Sequence, residues 1–239
     1  MKKGHTINVL DNGYVKYLDH MGTDQDILSH ARISYKSEGK GEAADKKLLG
    51  YLYKNQHSSP FEMVKIKLGI KLPIFVMRQY VRHRMQNLNE VSARYTELPN
   101  EFYIPEIWRK QDTKNKQGSL VDEDWNDKSF YKGIHSKNQE LSATFENHCH
   151  HSYKLYESMI AAGVAREMAR MVLPVNIYTE CHVCWDLKNL LHFITLREAT
   201  HAQAEIQEYG RAMKTIVSEL FPWTMEAYEK YKFKLVEAD

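Results

Sequence analysis

One short stretch of the chain, residues 82–94, has the residue types and the density of charge that a ligand site needs. It holds Arg82, His83, Arg84, Glu90 and Arg94, with serine, asparagine and glutamine side chains between them. Arginine presents a planar fork of donors that matches the oxygens of a phosphate or a carboxylate. Grouped arginines with interspersed polar donors therefore predict a site for a phosphorylated ligand.

The overall composition limits which kinds of protein can carry this stretch. The 239 residues are enough for one substantial core, and we expect a single domain over 1–239. Lys and Arg number 33 against 31 Asp and Glu, a formal charge of +2, which is too balanced for a surface that tracks a nucleic-acid backbone. With three cysteines and no run of about eighteen apolar residues, we expect reduced thiols, no membrane span and a cytoplasmic protein.

The first half of the chain alternates strand and helix patterns. Apolar alternation on both sides of Asp11-Asn12-Gly13 predicts a hairpin, and a Thr23/Asp26 capping box predicts the start of a helix. Period-2 alternation over 63–72 predicts a strand with one buried and one cationic face. The predicted elements are strands 7–10, 14–18 and 63–72 and helices 26–34, 42–56 and 74–82, with a polar loop over 57–60.

The second half reads mainly as helix. Residues 106–139 are polar and are predicted to form a surface excursion. Helices are predicted over 141–162, 165–173 and 187–220, the last with a break near Gly210, and a strand over 176–185. The fold class expected is α+β, a mainly antiparallel sheet packed by helices, with a helical C-terminal half.

Several blocks of this sequence resemble the flavin-dependent thymidylate synthase family. Arg82-His83-Arg84 followed after seven residues by Ser92 reproduces the family's signature, and Arg78-Gln79 precedes it at the usual distance. Residues 57–62, 166–176 and 196–206 are similar to three further family blocks. One departure occurs at 186–192, where this chain has Asp186, Lys188 and His192 in place of the asparagine and arginine pattern of some relatives.

The resemblance implies an enzyme that methylates dUMP to dTMP. In that family 5,10-methylenetetrahydrofolate supplies the carbon, NADPH supplies reducing equivalents through FAD, and homotetramers share active sites between subunits. The resemblance assigns FAD contacts to Ser59, Arg82, His83, Arg84, Glu90, Asp186, Leu187, Lys188 and His192. It assigns dUMP contacts to Gln79, Tyr80, Val81, Arg82, Glu90, Val91, Ser92, Ala93, Arg94, Arg170 and Arg197.

Arg197 is the catalytic residue that the resemblance implies. A cationic donor at the N3/O edge of uracil favours the build-up of electron density at the carbon that receives the one-carbon unit. His57 and His201 are further candidates, His57 alternatively as a loop residue that caps a helix and His201 as a side chain that orients Arg197 one turn away. Arg170 is alternatively the partner of Glu167 in a surface ion pair.

Two other functions remain open from the sequence. A nucleic-acid-binding module would stack bases on Tyr80, Tyr95 and Phe102, and a non-redox nucleotide-hydrolysing enzyme would need a carboxylate cluster for a metal. A zinc site at Cys181 and Cys184 is not expected, because in a strand the two side chains point to opposite faces. No metal and no nucleic-acid partner are predicted.

Overall fold

The computed structural model describes residues 1–34, 36, 38–39, 41–121 and 134–236, and the side chains of these except at 134–140 and 233–236. At its centre is a five-stranded antiparallel sheet made of β1 (Thr6–Val9), β2 (Gly13–Met21), β3 (Lys65–Pro73), β4 (Gln86–Glu90) and β7 (Tyr178–Asp186). The strands lie in the order β1-β2-β3-β7-β4. A two-stranded ribbon pairs β5 (Lys110–Gln111) with β6 (Ser119–Leu120). The α+β class with an antiparallel sheet is confirmed.

The predicted hairpin and the central strand form as the sequence patterns indicate. Thr6 faces Lys16 and Val9 faces Gly13 across the turn. In β3 the side chains of Ile66, Leu68 and other alternate residues are buried. Because β3 lies between β2 and β7, both its edges are paired and its register is fixed along nine residues of β7.

The described residues form nine helices, most of which cover the apolar face of this sheet. They are α1 (Asp24–Arg32), α2 (Glu42–Lys54), α3 (Ser59–Glu62), α4 (Ile74–Tyr80), α5 (Ile134–Ala161), α6 (Arg166–Ala169), α7 (Leu187–Arg197), α8 (Ala204–Leu220) and α9 (Pro222–Val236), with a 3-10 turn at Arg170–Val172. The main core joins the sheet to α1, α2, α7, α8 and α9. A smaller apolar cluster lies beneath α5 and includes Phe102, Tyr153 and Ile177.

The capping box at α1 is confirmed, since Thr23 and Asp26 exchange hydrogen bonds at the first turn. Two other predicted bounds were wrong. The stretch predicted as a loop at 57–60 contains the helical turn α3, and α5 begins at Ile134 rather than at 141. The predicted excursion therefore ends earlier than 139, and its residues 122–133 lie outside the described part of the chain.

The predicted helix break near Gly210 was also wrong. The helical run stops at Arg197 and resumes at Ala204, and Gly210 lies inside α8. A Cβ atom at Gly210 would be 3.4 Å from the backbone carbon of Arg197 and from the backbone nitrogen of Glu198. The glycine therefore serves close packing of α8 against the end of α7, rather than a break.

No helix within the described ranges combines the length and the apolar composition that crossing a bilayer requires.

Candidate active site

The arginine-rich segment runs from the end of α4 through a turn into the edge strand β4. Pro73 caps α4 with extended backbone, and Val76, Met77 and Tyr80 bury one face of the helix. Arg82, His83 and Arg84 lie in the turn that follows. The sequence predicted the helix end but missed β4, whose Gln86-Asn87-Leu88-Asn89-Glu90 pairs with β7.

A direct hydrogen bond joins the two family-matched residues His83 and Arg197. The Nε of Arg197, the last residue of α7, donates to Nε2 of His83 at 2.9 Å. The centre of the imidazole ring lies 4.8 Å from the centre of the Phe193 ring. The backbone oxygen of His83 accepts a hydrogen bond from the side-chain amide of Gln86 at 2.8 Å. Residues 114 positions apart in sequence thus form one rigid pair.

The environment of His83 keeps its imidazole neutral. Burial, the positive charge of Arg197 and the proximity of His192 lower the pKa of His83 to about 4. Burial also lowers the pKa of Arg197 from 12.5, but an arginine stays charged at neutral pH. With Nε2 accepting from Arg197, the ring proton belongs on Nδ1.

Three arginines near this pair have no countercharge within the described part of the chain. Arg78, Arg82 and Arg84 are exposed and form no ion pair or hydrogen bond with any described residue. Arginine side chains grouped at one helix end repel one another unless an anion lies between them. This group is thus suited to an anionic ligand.

A second group of cations surrounds Glu167 of α6. The Nε of Arg94 lies 3.2 Å from the Glu167 carboxylate, and both side chains are more than half exposed. Arg170 instead donates to the backbone oxygen of Glu167 at 3.4 Å. The ion pair considered for Arg170 and Glu167 was therefore wrong, since Arg94 takes that carboxylate.

Glu90 is the last residue of β4, and Ser92 follows two residues later. Thr179 donates to Glu90 at 2.8 Å, a contact that no sequence signal indicated, and Val91 continues the pairing by donating to the backbone of Glu180 at 2.9 Å. The Ser92 hydroxyl accepts from the backbone of Arg94 at 3.3 Å. No carboxylate or imidazole among the described residues hydrogen-bonds to Ser92, so it lacks the partner that an activated nucleophile needs.

Burial disfavours the thiolate form of Cys149 and Cys181. Burial, followed by the charges of Glu90 and Glu180, raises the pKa of Cys181 to about 12, and burial raises the pKa of Cys149. Cys181 faces the core, whereas Cys184 lies on the opposite, polar face of β7, as the strand argument predicted. Within the described ranges, no three His, Cys, Asp or Glu side chains come together as metal ligands.

Residues 186–192, to which the resemblance assigned FAD contacts, include buried residues that stabilise the fold and exposed residues that a ligand can reach. Asp186 caps α7, and its two carboxylate oxygens accept from the side-chain amide of Asn189 at 3.0 and 2.9 Å. Leu187 is fully buried in the core. Lys188 and His192 have exposed side chains on α7, and the His192 ring lies 6.1 Å from the His83 ring.

Some other predicted contacts have side chains that face inward. Tyr80 is fully buried and accepts from the Trp185 indole at 2.7 Å, and Ala93 is also buried. Any ligand contact of these two would come from the backbone. Phe102 is buried as well. Of the three rings considered for base stacking, Tyr80, Tyr95 and Phe102, only Tyr95 is therefore exposed enough to stack on a base.

The remaining candidates lie on the surface around this centre. Ser59 begins α3 and is exposed, as are Val81, Val91 and His201. His57 stacks on Tyr51 with ring centres 5.8 Å apart. The helix ends at Arg197, so His201 is not on the next turn, and the residue that orients Arg197 is His83 instead.

Two glutamines to which the sequence gave no role, Gln203 and Gln86, also lie in this region. Gln203, just before α8, accepts a short hydrogen bond from Gln79 of α4. Gln86 has a buried side-chain oxygen with no partner among the described residues. Both lie within family-like blocks, which was the available signal, but their roles depend on contacts between distant segments.

Comparison with known proteins shows which family this sequence is similar to. The sequence model of the family described as thymidylate synthase complementing protein matches residues 16–223. A flavin-dependent thymidylate synthase from Thermus thermophilus is 44% identical over 229 residues, covering 95% of this chain and 79% of that protein. One from Thermosipho africanus is 39% identical and covers 95% of each chain.

A solved structure supports the same relationship. The UMP/dUMP methylase PolB from Streptomyces cacaoi, bound with 5-Br dUMP, superposes with a TM-score of 0.79 at 27% identity. The match covers 95% of this chain and 98% of the methylase. The match to the family's sequence model and the long alignments to named members lead to one conclusion: this chain belongs to the flavin-dependent thymidylate synthase family.

Proposed function

We propose that this protein converts dUMP to dTMP by reductive methylation. In this proposal 5,10-methylenetetrahydrofolate supplies the carbon and NADPH supplies the reducing equivalents through bound FAD. The observation that carries the proposal is the cluster of exposed arginines without countercharge beside the Arg197–His83 pair. Family membership and a dUMP methylase of the same fold support the choice of substrate.

The residues of this chain fit an anionic flavin. Arg82 and Arg84 have no countercharge within the described residues, and the buried side-chain oxygen of Gln86, which lacks a donor there, would accept from a ring N–H of the flavin. FAD carries phosphates and a ring system that becomes more negative on reduction, and cationic side chains stabilise both. When bound, the flavin supplies the reducing equivalents for the methylation. The residues that would hold it are Ser59, Arg82, His83, Arg84, Glu90, Lys188 and His192.

Arg197 would act on the pyrimidine of dUMP. Because its Nε is committed to His83, the guanidinium is held in one orientation and its two NH2 groups remain available for the ligand. A fixed donor beside the uracil oxygens stabilises negative charge as it develops on the ring. The neutral His83 accepts the hydrogen bond without taking the positive charge away from Arg197.

Arg94 and Arg170 would bind the dUMP phosphate. Arg94 is paired with Glu167 only through an exposed contact, which a phosphate with close to two negative charges can replace. The remaining proposed dUMP contacts are Gln79, Tyr80, Val81, Arg82, Glu90, Val91, Ser92, Ala93 and Arg197. Those of Tyr80 and Ala93 would come from the backbone.

We also infer a homotetramer in which neighbouring subunits complete each active site. In a single chain the proposed ligand-binding arginines Arg82, Arg84, Arg94 and Arg170 all have exposed side chains. A site that excludes water needs to be more enclosed than these exposed surfaces of one chain are. A second copy that brings complementary residues to the same ligands supplies that cover.

The visible spectrum of the purified protein tests the proposal directly. We expect a yellow protein, or one that becomes yellow on reconstitution with FAD, whose flavin spectrum shifts when dUMP is added. Incubation with dUMP, methylenetetrahydrofolate and NADPH should form dTMP, and omission of any one of them should prevent it. Colourless protein that cannot be reconstituted, or flavoprotein that forms no dTMP, would contradict the proposal.

A further inference from the structure

Glu198 carries a carboxylate directly after the proposed catalytic arginine. It caps the C-terminal end of α7, and its backbone N–H donates to the carbonyl oxygen of Ile194 at 2.8 Å. A carboxylate without a countercharge is unfavourable here, because the C-terminal end of a helix is already negative. Its charge would also reduce the attraction that Arg197 exerts on an anionic ligand. A cation is therefore expected beside Glu198.

Lys214 of α8 is that cation. Its Nζ donates to the two carboxylate oxygens of Glu198 at 2.9 and 3.0 Å, and it lies 2.7 Å from the carboxylate of Glu229 in α9. The side chains of Lys214 and Glu198 are only 22% and 24% exposed. In the part of the chain that the structure describes, no other cation pairs with Glu198.

Lys214 is charged in this setting. Burial alone lowers its pKa, but the hydrogen bonds with Glu229 and Glu198 and their negative charges raise the pKa above its usual value. Glu229 also pairs with Lys232, so it does not depend on Lys214 alone. Loss of Lys214 would thus leave Glu198, rather than Glu229, without a countercharge.

Arg197 is left without a carboxylate by this arrangement. Its Nε donates to His83, and it forms no ion pair with any described residue. Gly210, one turn before Lys214 on α8, lies against the backbone of residues 197 and 198. The end of α7 is therefore held close to α8, where Glu198 turns its carboxylate to Lys214 and not to the neighbouring guanidinium.

We propose that Lys214 is a positioning residue, which holds and neutralises the Glu198 carboxylate so that Arg197 keeps its full positive charge for the bound nucleotide. The role of Arg197 towards dUMP rests on the proposed function. Lys214 acts through Glu198, without touching the ligand.

The test uses the full-length, flavin-loaded protein with Lys214→Met, which removes the charge and keeps most of the side-chain volume. We expect the single-turnover rate of dTMP formation, at matched flavin content, to fall about 3- to 10-fold, the effect of one unneutralised charge near Arg197. Flavin content should not change, because no proposed flavin contact is altered. Lys214→Arg keeps the charge and should retain most of the rate.

A second substitution separates the charge from the packing. Glu198→Gln removes the carboxylate that Lys214 neutralises, so Glu198→Gln alone should react at nearly the wild-type rate. Combined with Lys214→Met, it should restore the rate that Lys214→Met loses. If Lys214 served only to join the three helices, the double variant would be at least as slow as Lys214→Met. Absence of recovery in the double variant would overturn the proposal.

Lys46→Met is the matched control. Lys46 also pairs with two carboxylates, Glu42 of α2 and Glu226 of α9, but neither of these adjoins a proposed site residue. Its loss should leave the rate unchanged, and a loss of rate equal to that of Lys214→Met would contradict a specific role of Lys214. Should Lys214→Met fail to fold, Lys214→Gln removes the same charge, keeps a donor for the carboxylates and carries the same expectations.

The outcomes distinguish this inference from the function on which it rests. A wild-type rate in folded Lys214→Met would refute the role of Lys214 alone. Wild-type flavoprotein that forms no dTMP would refute the proposed function and this inference together.

Discussion

At the scale of single residues, the pairing of a charged arginine with a neutral histidine is the feature on which the proposed chemistry depends. His83 accepts from Arg197 while its own pKa is about 4, so the pair carries one positive charge throughout the physiological range. The family resemblance predicted both as site residues, His83 through the signature and Arg197 through the block at 196–206. It could not predict their contact, because α7 reaches His83 only through the packing of Phe193 and Trp185 around the ring.

Replacement of Arg197, the proposed catalytic arginine, gives the first prediction. Arg197→Ala should reduce the rate of dTMP formation by about 100- to 1000-fold, because it removes a donor aimed at developing charge. Flavin content should change little, since Arg197 is assigned to the nucleotide. The measurement is single-turnover dTMP formation at matched flavin content. Arg211→Ala, on the exposed side of α8, is the control and should behave as wild type. Near-normal turnover of Arg197→Ala would remove it from the mechanism.

The depressed pKa of His83 gives a second prediction, on stability. Histidine in the unfolded chain titrates near 6.5 and His83 in the folded chain near 4. The unfolded chain therefore binds more protons between these values, and folding stability falls as pH drops through that window. His83→Gln keeps an acceptor for Arg197 but cannot titrate. Thermal unfolding from pH 7 to pH 4 should show a steeper decline for wild type, and parallel curves would contradict the neutral imidazole.

At the scale of elements, local sequence signals determined the first hairpin and the start of α1, whereas packing determined the boundary between α7 and α8 and the pairing of β4. The capping box of α1 and the hairpin at residues 11–13 depend on neighbours in sequence, so the sequence predicted both. The positive φ angle of that turn lies at Leu10, however, and not at the Asn-Gly step that suggested the hairpin. The boundary between α7 and α8 depends on how two helices meet. Gly210 was misread as a break because its actual role, to admit the backbone of Arg197 and Glu198, is visible only in three dimensions. The edge strand β4 was missed because its pairing with β7 is equally non-local.

Side chains of increasing size at Gly210 give the third prediction. In Gly210→Ala the new methyl group reaches ordinary contact with the end of α7, and the higher helix propensity of alanine offsets the crowding. Its unfolding free energy should stay within about 1 kcal/mol of wild type. Gly210→Val should lose about 1–3 kcal/mol through overpacking.

Because the same contact holds the backbone of Arg197, Gly210→Val should also lower kcat in the fraction that remains folded. The measurements are the unfolding free energy from denaturant titration and kcat, each compared between Gly210→Ala and Gly210→Val. A valine variant as active and as stable as the alanine variant would refute the packing role of Gly210.

At the scale of the whole molecule, the fold brings segments from both halves of the chain to one sheet. The arginine-rich turn follows α4, Arg197 ends α7, and Glu205 begins α8, with β7 between them in sequence. The smaller apolar cluster beneath α5 carries the segment with Arg94 and the helix with Glu167. The surfaces of both groups of arginines are open in one chain, which is the basis for the proposed shared site.

Subunit mixing gives the fourth prediction. If each site combines Arg170 from one subunit with Arg197 from another, Arg170→Ala and Arg197→Ala protein, each inactive alone, should recover activity when their subunits are exchanged under mild denaturation. Recovery occurs because some sites in a mixed oligomer take Arg170 from an Arg197→Ala subunit and Arg197 from an Arg170→Ala subunit, so that both arginines are present. Mixing each variant with itself is the control. No recovery despite confirmed exchange would show that both arginines serve the same site from one chain.

The sequence by itself determined the family, the fold class and the identity of most candidate site residues, because these depend on residue type, short spacings and local periodicity. Tertiary structure alone decided that Arg197 meets His83, that Arg94 rather than Arg170 pairs with Glu167, and that Gln79 meets Gln203. The physical reason is the same each time. A hydrogen bond between distant segments is chosen by how helices and strands pack, and no local pattern of residues encodes that distance.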